Sequence, residues 1–169
     1  MKDDTINALE LLRMQHQEVE DLISQIENSD DLDDKEALFL ELADKLAAHA
    51  TIEEKIFYPS VMMDRTKEQL VEATEEHLSV KRLLADMMEL DVDDEHFDAK
   101  LTVLKEQVRH HAHDEEEAKL FPKVQRMYSA DELAALGNEL LATFESLLER
   151  EPRKNVPAET VEAAPLVGM

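Results

Sequence analysis

The chain is 169 residues long and carries 41 Asp+Glu against 18 Lys+Arg, a formal charge of −23. Charged residues make up 35% of it, against roughly 25% in an average soluble domain. A field of that sign repels nucleic acid and anionic membrane surfaces and attracts cations. Cysteine is absent, which excludes disulfides, zinc ribbons, iron–sulfur clusters and thiol catalysis. The length suits one domain, and 43% apolar content is enough to bury a core. No apolar segment follows Met1-Lys2-Asp3-Asp4-Thr5 and no later run approaches ~18 apolar residues. The sequence therefore reads as cytoplasmic, with neither a membrane nor a nucleic-acid partner. Gly137 and Gly168 are the only glycines, which argues against phosphate-cradling loops and turn-rich β folds.

Apolar residues recur at helical spacing almost throughout, and no period-2 stretch interrupts them. The first helix is expected over about Thr5–Glu27, with a stripe through Leu9, Leu12, Val19, Ile23 and Ile26. An acidic loop follows from Asn28 to Asp34. A second helix runs over about Lys35–Tyr58 on Leu38, Leu42, Leu46 and Ile56, and Pro59 ends or kinks it. The third spans about Thr66–Leu90, using Leu70, Ala73, Val80, Leu84 and Met88. After a turn at Asp91–Asp94, the fourth spans about Glu95–Phe121, through Leu101, Leu104, Val108 and Ala118, and meets Pro122. Ser129-x-x-Glu132 is a capping box for a fifth helix ending near Arg150. The prolines and missing periodicity of Glu151–Met169 predict a flexible tail. The fold class is all-α: an up-down-up-down four-helix bundle over residues 1–128, an additional helix over 129–150 and the tail over 151–169.

The chain repeats itself. His16 to His77 is 61 residues, His49 to His111 is 62 and Pro59 to Pro122 is 63. Two αα-hairpins of one ancestral pattern would bring equivalent residues together across the bundle.

Four of the seven histidines, His16, His49, His77 and His111, fall on core stripes at 100° per residue. A core stripe takes about three positions in seven, so that count alone decides nothing. Depth decides more. Each of the four lies 10 or 11 residues from Thr5, Pro59, Thr66 or Pro122, and in an up-down-up-down bundle those ends share one side. All four imidazoles then land in one layer. His49-x-x-x-Glu53 and His111-x-x-x-Glu115 add a carboxylate one turn beyond a histidine on the same stripe. Buried glutamates need a charged partner, and Lys81 alone cannot serve two. A pair of metal ions can. With both carboxylates bridging, each metal receives two imidazole nitrogens and two oxygens, and two octahedral positions stay open for a small ligand. Such a mixed N/O set suits iron or manganese, whereas zinc more often prefers four-coordinate sites. Glu54, Glu116, Glu117 and Asp114 read as a solvated face or outer partners, Glu20 as a possible extra ligand, and His96, His110 and His113 as exposed.

His16, His49-Ala-Thr-Ile-Glu53-Glu54 before Phe57-Tyr58-Pro59, Glu76-His77, and His111-Ala-His-Asp-Glu115 before Leu120-Phe121-Pro122 together resemble the hemerythrin-like (HHE cation-binding) family over about residues 5–128. The resemblance implies a four-helix bundle with a non-haem di-iron centre that meets dioxygen, nitric oxide or peroxide, acting in redox or oxygen sensing or stress response. It implies His16, His49, Glu53, His77, His111 and Glu115 as ligands, with Glu53 and Glu115 bridging. The chain departs from the family pattern twice. His111 to Pro122 is one residue longer than usual; His111/Glu115 lie on the stripe while His113/Glu117 point away, and a π-bulge would absorb the excess. No fifth stripe histidine is present, which favours redox or peroxide chemistry over reversible dioxygen carriage. Two alternatives stand beside this reading: a catalase- or peroxidase-like enzyme at the same centre, and a metal-free helical interaction module such as a phosphotransfer bundle using His77 and Lys81.

Overall fold

The computed structural model describes residues 6–166, and all regular elements there are helical. Helix α1 spans Ala8–Glu27, α2 Leu32–Ile52, α3 Tyr58–Ser60, α4 Lys67–Met88, α5 Glu95–Arg109, α6 Phe121–Met127 and α7 Ala130–Leu148. π-Helical stretches, Glu53–Phe57 and His110–Leu120, join α2 to α3 and α5 to α6 without a break. Four rods result: α1, α2–α3, α4 and α5–α6. Each packs on two of the others, in the up-down-up-down order expected.

Caps explain most of the boundaries. Thr5, the expected start of the first helix, lies outside the described residues; Asn7 caps α1 by accepting from the Glu10 N–H. α2 begins three residues earlier than expected, because Asp31 caps it and Asp33 and Asp34 complement the positive end of its dipole. The acidic loop is correspondingly short. Ser129 and Glu132 form the expected capping box of α7. Neither proline ends its rod. Each follows a π-helical turn, where the Tyr58 N–H bonds to Glu53 O and the Phe121 N–H to Glu116 O, so the ladder has already shifted register when the proline removes a donor.

The core is split in two. One cluster contains Leu9, Leu12, Ile52, Phe57, Leu70 and Phe121. The other contains Ile23, Phe39, Leu42, Leu84, Phe97 and Leu104. Between them every rod contributes a polar residue, and these residues form one layer across the bundle. α7 packs on α1 and α2 through Leu133, Leu140 and Phe144. Gly137 permits that approach: a Cβ there would come within 2.8 Å of the Ala8 nitrogen.

The C-terminal segment departs from expectation. Residues Pro152–Glu159 form a 3-10 helix against α2 and α4, with Pro152, Val156 and Leu166 buried. These apolar residues lack helical periodicity because they fill a groove from an irregular backbone. Residues 167–169 of the expected tail lie outside the described residues. No helix among the described residues is long and apolar enough to cross a membrane.

Candidate metal centre

α1 brings His16 into the central layer, α2 His49, α4 His77 and the second π-helical stretch His111; all four are buried. Glu53, at the start of the first π-helical stretch, stands one turn beyond His49 with no exposed surface. Glu115 does not join them. Its carboxylate is directed outward to Lys119, 3.1 Å away. Glu116 takes the inner place at 1% exposure. The reason is backbone register. His110–Leu120 closes hydrogen bonds at i→i+5, so the residue standing over His111 is five positions on rather than four. The eleven π-helical residues absorb the excess between His111 and Pro122.

A signal for Glu116 exists in the repeat. Glu53 lies six residues before Pro59 and Glu116 six before Pro122, so counting back from the prolines finds it where counting forward from His111 does not.

The layer consists of two imidazole pairs spanned by two carboxylates. His16 and His49 form one pair, with ring centroids 5.0 Å apart. His77 and His111 form the other, with Nε2 atoms 3.1 Å apart. Glu53 Oε1 lies 3.1 Å from both His49 Nε2 and His77 Nε2. Glu116 Oε1 lies 3.3 Å from His16 Nε2 and 3.0 Å from His111 Nε2. Each carboxylate thus reaches both pairs. His16, His49, Glu53 and Glu116 present donor atoms within 4.8 Å of one another, and so do Glu53, His77 and His111.

Every imidazole is fixed from outside. Nδ1–H of His16 donates to Glu117 at 2.7 Å, that of His49 to Gln15 Oε1 at 2.6 Å, that of His77 to Glu54 at 2.8 Å and that of His111 to Glu76 at 2.9 Å. With the proton spent on Nδ1, each Nε2 turns a lone pair inward, toward carboxylate oxygens and other lone pairs. His16 Nε2, His49 Nε2, Glu53 Oε2 and Glu116 Oε1 have no hydrogen-bond partner among the described residues. Inward acceptors without donors repel one another, and a layer so built calls for cations. The residues fit a metal pair.

Protons satisfy the layer when metal does not. Burial alone would lower the pKa of His16, but the carboxylates of Glu116 and Glu117 against its ring and the charge of Glu53 outweigh it and raise the pKa to about 9. Burial likewise opposes the charged form of His111, and Glu116, Glu53 and Glu76 more than reverse this, holding it well above the usual imidazole range. Burial pushes Glu53 up, yet the neighbouring histidines, His49 foremost, bring it well below the ordinary carboxylate range.

Around this layer several expectations change. Glu54 and Glu116 are buried rather than part of a solvated face, whereas Asp114 is exposed. Glu20 accepts from His113 Nε2 at 2.8 Å, outside the layer. His96 and His110 are exposed and His113 half-buried. Gln15 and Glu76 carry no periodic signal, because their role is set by a histidine on another helix. Tyr58 is fully buried in the layer, its hydroxyl donating to Glu116 Oε2 at 3.0 Å and lying 3.3 Å from both His77 Nε2 and His111 Nε2. Its counterpart in the repeat is Phe121, stacked on His16 at 6.2 Å between centroids. The two halves of the layer are therefore chemically unlike: one faces a phenol, the other an apolar ring.

Bundle and layer together define an all-helical protein with a buried imidazole–carboxylate cluster suited to cations. The sequence pattern of the hemerythrin HHE cation-binding domain matches residues 7–124, and the chain belongs to that family. The fold is similar to the crystal structure of a hemerythrin HHE cation-binding domain-containing protein from Mycobacterium kansasii, with a TM-score of 0.76, 25% identity, and coverage of 92% of this chain and 98% of that one. In sequence the chain is also similar to a DNA nickase of Nostoc sp., 25% identical over 145 residues, which are 86% of this chain and 41% of that protein. The chain thus spans less than half the length of that relative.

Proposed function

We propose that this protein holds two iron ions in the central layer and binds dioxygen, nitric oxide or peroxide there, in redox or oxygen sensing or stress response. The observation that carries the reading is the set of four buried imidazoles, each anchored through Nδ1 and turned inward through Nε2 onto two carboxylates. In this reading His16 and His49 hold one ion, His77 and His111 the other, and Glu53 and Glu116 reach both. Iron bound there would supply one-electron redox chemistry with coordination positions left open for a small ligand. Imidazole and carboxylate donors suit iron; manganese has similar preferences, and zinc more often takes a closed four-coordinate site. A cavity of about 40 Å³ adjoins the layer, walled by Val19, Leu46, Val80, Leu84 and Val108. Its volume matches a ligand of a few atoms, and its apolar wall favours an uncharged one. The nickase name belongs to a much longer protein, and a charge of −23 opposes approach to a phosphodiester backbone.

Elemental analysis of protein grown with supplemental iron, alongside its visible spectrum in air, tests this. About two irons per chain with charge-transfer bands of a coupled ferric pair, both lost in His49→Ala and Glu116→Ala, is the expected result. A folded chain that takes up no metal would overturn the reading, and one zinc per chain would remove the redox part of it.

Tyr58 favours a second reading, a peroxide-decomposing enzyme at the same centre. Burial, then the charges of Glu116 and Glu53, push the phenol well above its usual range, so it remains an O–H donor beside the ligand positions. Such a donor can deliver a proton to a departing oxygen. Oxygen evolution from hydrogen peroxide that falls in Tyr58→Phe at unchanged iron content would select this reading; binding without turnover would leave the sensor.

A further inference from the structure

The small cavity beside the imidazoles is lined in part by a residue from outside the four-helix bundle. Val156, on the C-terminal 3-10 helix, lines it and is 1% exposed. On the other side of that helix lies a larger cavity of about 420 Å³, with Thr51 and Glu54 on one wall and Pro152, Asn155 and Glu159 on the other. Lys81 lines both cavities. Asn155 and Val156 are consecutive, one lining the outer cavity and the other the inner. A single layer, Lys81 with Val156, thus separates a vestibule from the chamber against the histidines.

Val156 packs into the second core cluster with Leu84 and Val108, and polar contacts clip the segment at its margins. Lys81 Nζ donates to Glu54 at 3.0 Å and to Glu159 at 3.2 Å, clipping α4 to the segment. Arg153 pairs with Asp44 at 2.7 Å. Arg82 donates to the carbonyls of Thr160 and Val161 at 2.9 and 3.2 Å. At the segment's start Glu151 has φ 51°, a left-handed conformation that a non-glycine residue adopts only where neighbours impose it. Beyond it the backbone is 3-10, the geometry with the weaker hydrogen bonds. Short and irregular in backbone, with Pro152 and Val156 as its buried apolar anchors, the segment is the part of the chamber wall that can open locally while the bundle stays folded.

We propose that residues 152–160 are a gate on the ligand cavity and that Val156 sets the size of molecule admitted to it. The inference rests on the reading of the central layer as a small-molecule site and names that site's access route and selectivity. Molecules of a few atoms pass when the segment breathes; branched or larger ones are stopped at the Val156 side chain. Val156→Ala removes the stop. Val156→Phe fills the chamber. Glu159→Gln weakens the Lys81 clip at a half-exposed position and leaves the buried layer untouched.

Two measurements on the full chain test the gate. In crystals pressurised with xenon, the atom is expected in the inner chamber of the wild type and Val156→Ala and absent from Val156→Phe. In stopped flow, the ferrous protein is mixed with hydrogen peroxide or tert-butyl hydroperoxide. Each O–O bond takes two electrons from the two ferrous ions and two protons, giving two waters, or water and tert-butanol. The wild type is expected to prefer hydrogen peroxide strongly. In Val156→Ala the ratio of the two rate constants should fall at least tenfold, and in Glu159→Gln both constants should rise severalfold, with iron content and melting temperature recorded for every variant. Xenon in the chamber of Val156→Phe, or a ratio unchanged within twofold in a folded, iron-loaded Val156→Ala, would overturn the gate. A wild type that takes up no iron would instead sink the di-iron reading, and the xenon experiment would still decide whether Val156 closes the chamber.

Discussion

Glu115 and Glu116 are neighbours in sequence with opposite surroundings, and exchanging each for glutamine separates the π-helical register from the α-helical one. Glu116 is 1% exposed, with one oxygen 3.3 Å from His16 Nε2 and 3.0 Å from His111 Nε2 and the other accepting from Tyr58. Glutamine keeps its volume, so no cavity confuses the result, but it removes one of the two anions that reach both imidazole pairs. Losing a group that merely orients a metal ligand costs about 10–100-fold in affinity. Loss of a direct anionic donor must cost more, so Glu116→Gln should weaken metal binding by at least about 100-fold, roughly 3 kcal/mol. Glu115 faces Lys119 at the surface, and Glu115→Gln should leave metal affinity and melting temperature unchanged. Competition with a chelator of known affinity, read by metal content per chain, measures both. If Glu115→Gln loses metal while Glu116→Gln retains it, the register argued for the second π-helical stretch is wrong.

Further outcomes follow from other contacts. In protein stripped of metal, the His16 pKa of about 9 against 6.5 unfolded stabilises the protonated native state. That contribution is complete below pH 6.5 and fades as pH rises through 9, so the stripped chain should melt lower at pH 9.5 than at pH 6. The difference is on the order of a few kcal/mol, or roughly 5–10 °C for a chain of this size. Metal binding must displace that proton, so uptake should release protons and strengthen as pH rises, which calorimetry in buffers of different ionisation enthalpy would detect. Gln15→Leu leaves the His49 Nδ1–H without its acceptor and should lower metal affinity about 10–100-fold without loss of helicity. Gly137→Ala places a Cβ against the backbone at the start of α1. It should destabilise the chain by about 1–3 kcal/mol in urea melts, although alanine is the better helix former by about 1 kcal/mol. Stabilisation by this substitution would show that α7 does not rest on α1 as described.

The helices and the layer were legible in the sequence for one reason: burial imposes periodicity. Leu9, Leu12, His16, Val19 and Ile23 share a helical face whatever that face meets, and the near-62-residue repeat places His16 opposite His77 and His49 opposite His111. Asn7 and Asp31 show why boundaries are less secure, since a cap depends on which nearby oxygen the folded backbone selects. Glu116 was hidden because 100° per residue presumes α-helical hydrogen bonding, and over His110–Leu120 the backbone bonds differently.

Amphipathic spacing and chain length alone lead to an all-helical, strongly acidic chain whose two hairpins carry matching histidines to one depth. Packing in three dimensions settles which glutamate turns inward, which acceptors anchor the four imidazoles, that Tyr58 enters the layer where Phe121 does not donate, and that Val156 lines the cavity beside it. Each of these depends on a partner from another helix or on the local hydrogen-bond register. Neither leaves a period in the sequence, because contacts between distant segments are set by packing of the whole bundle.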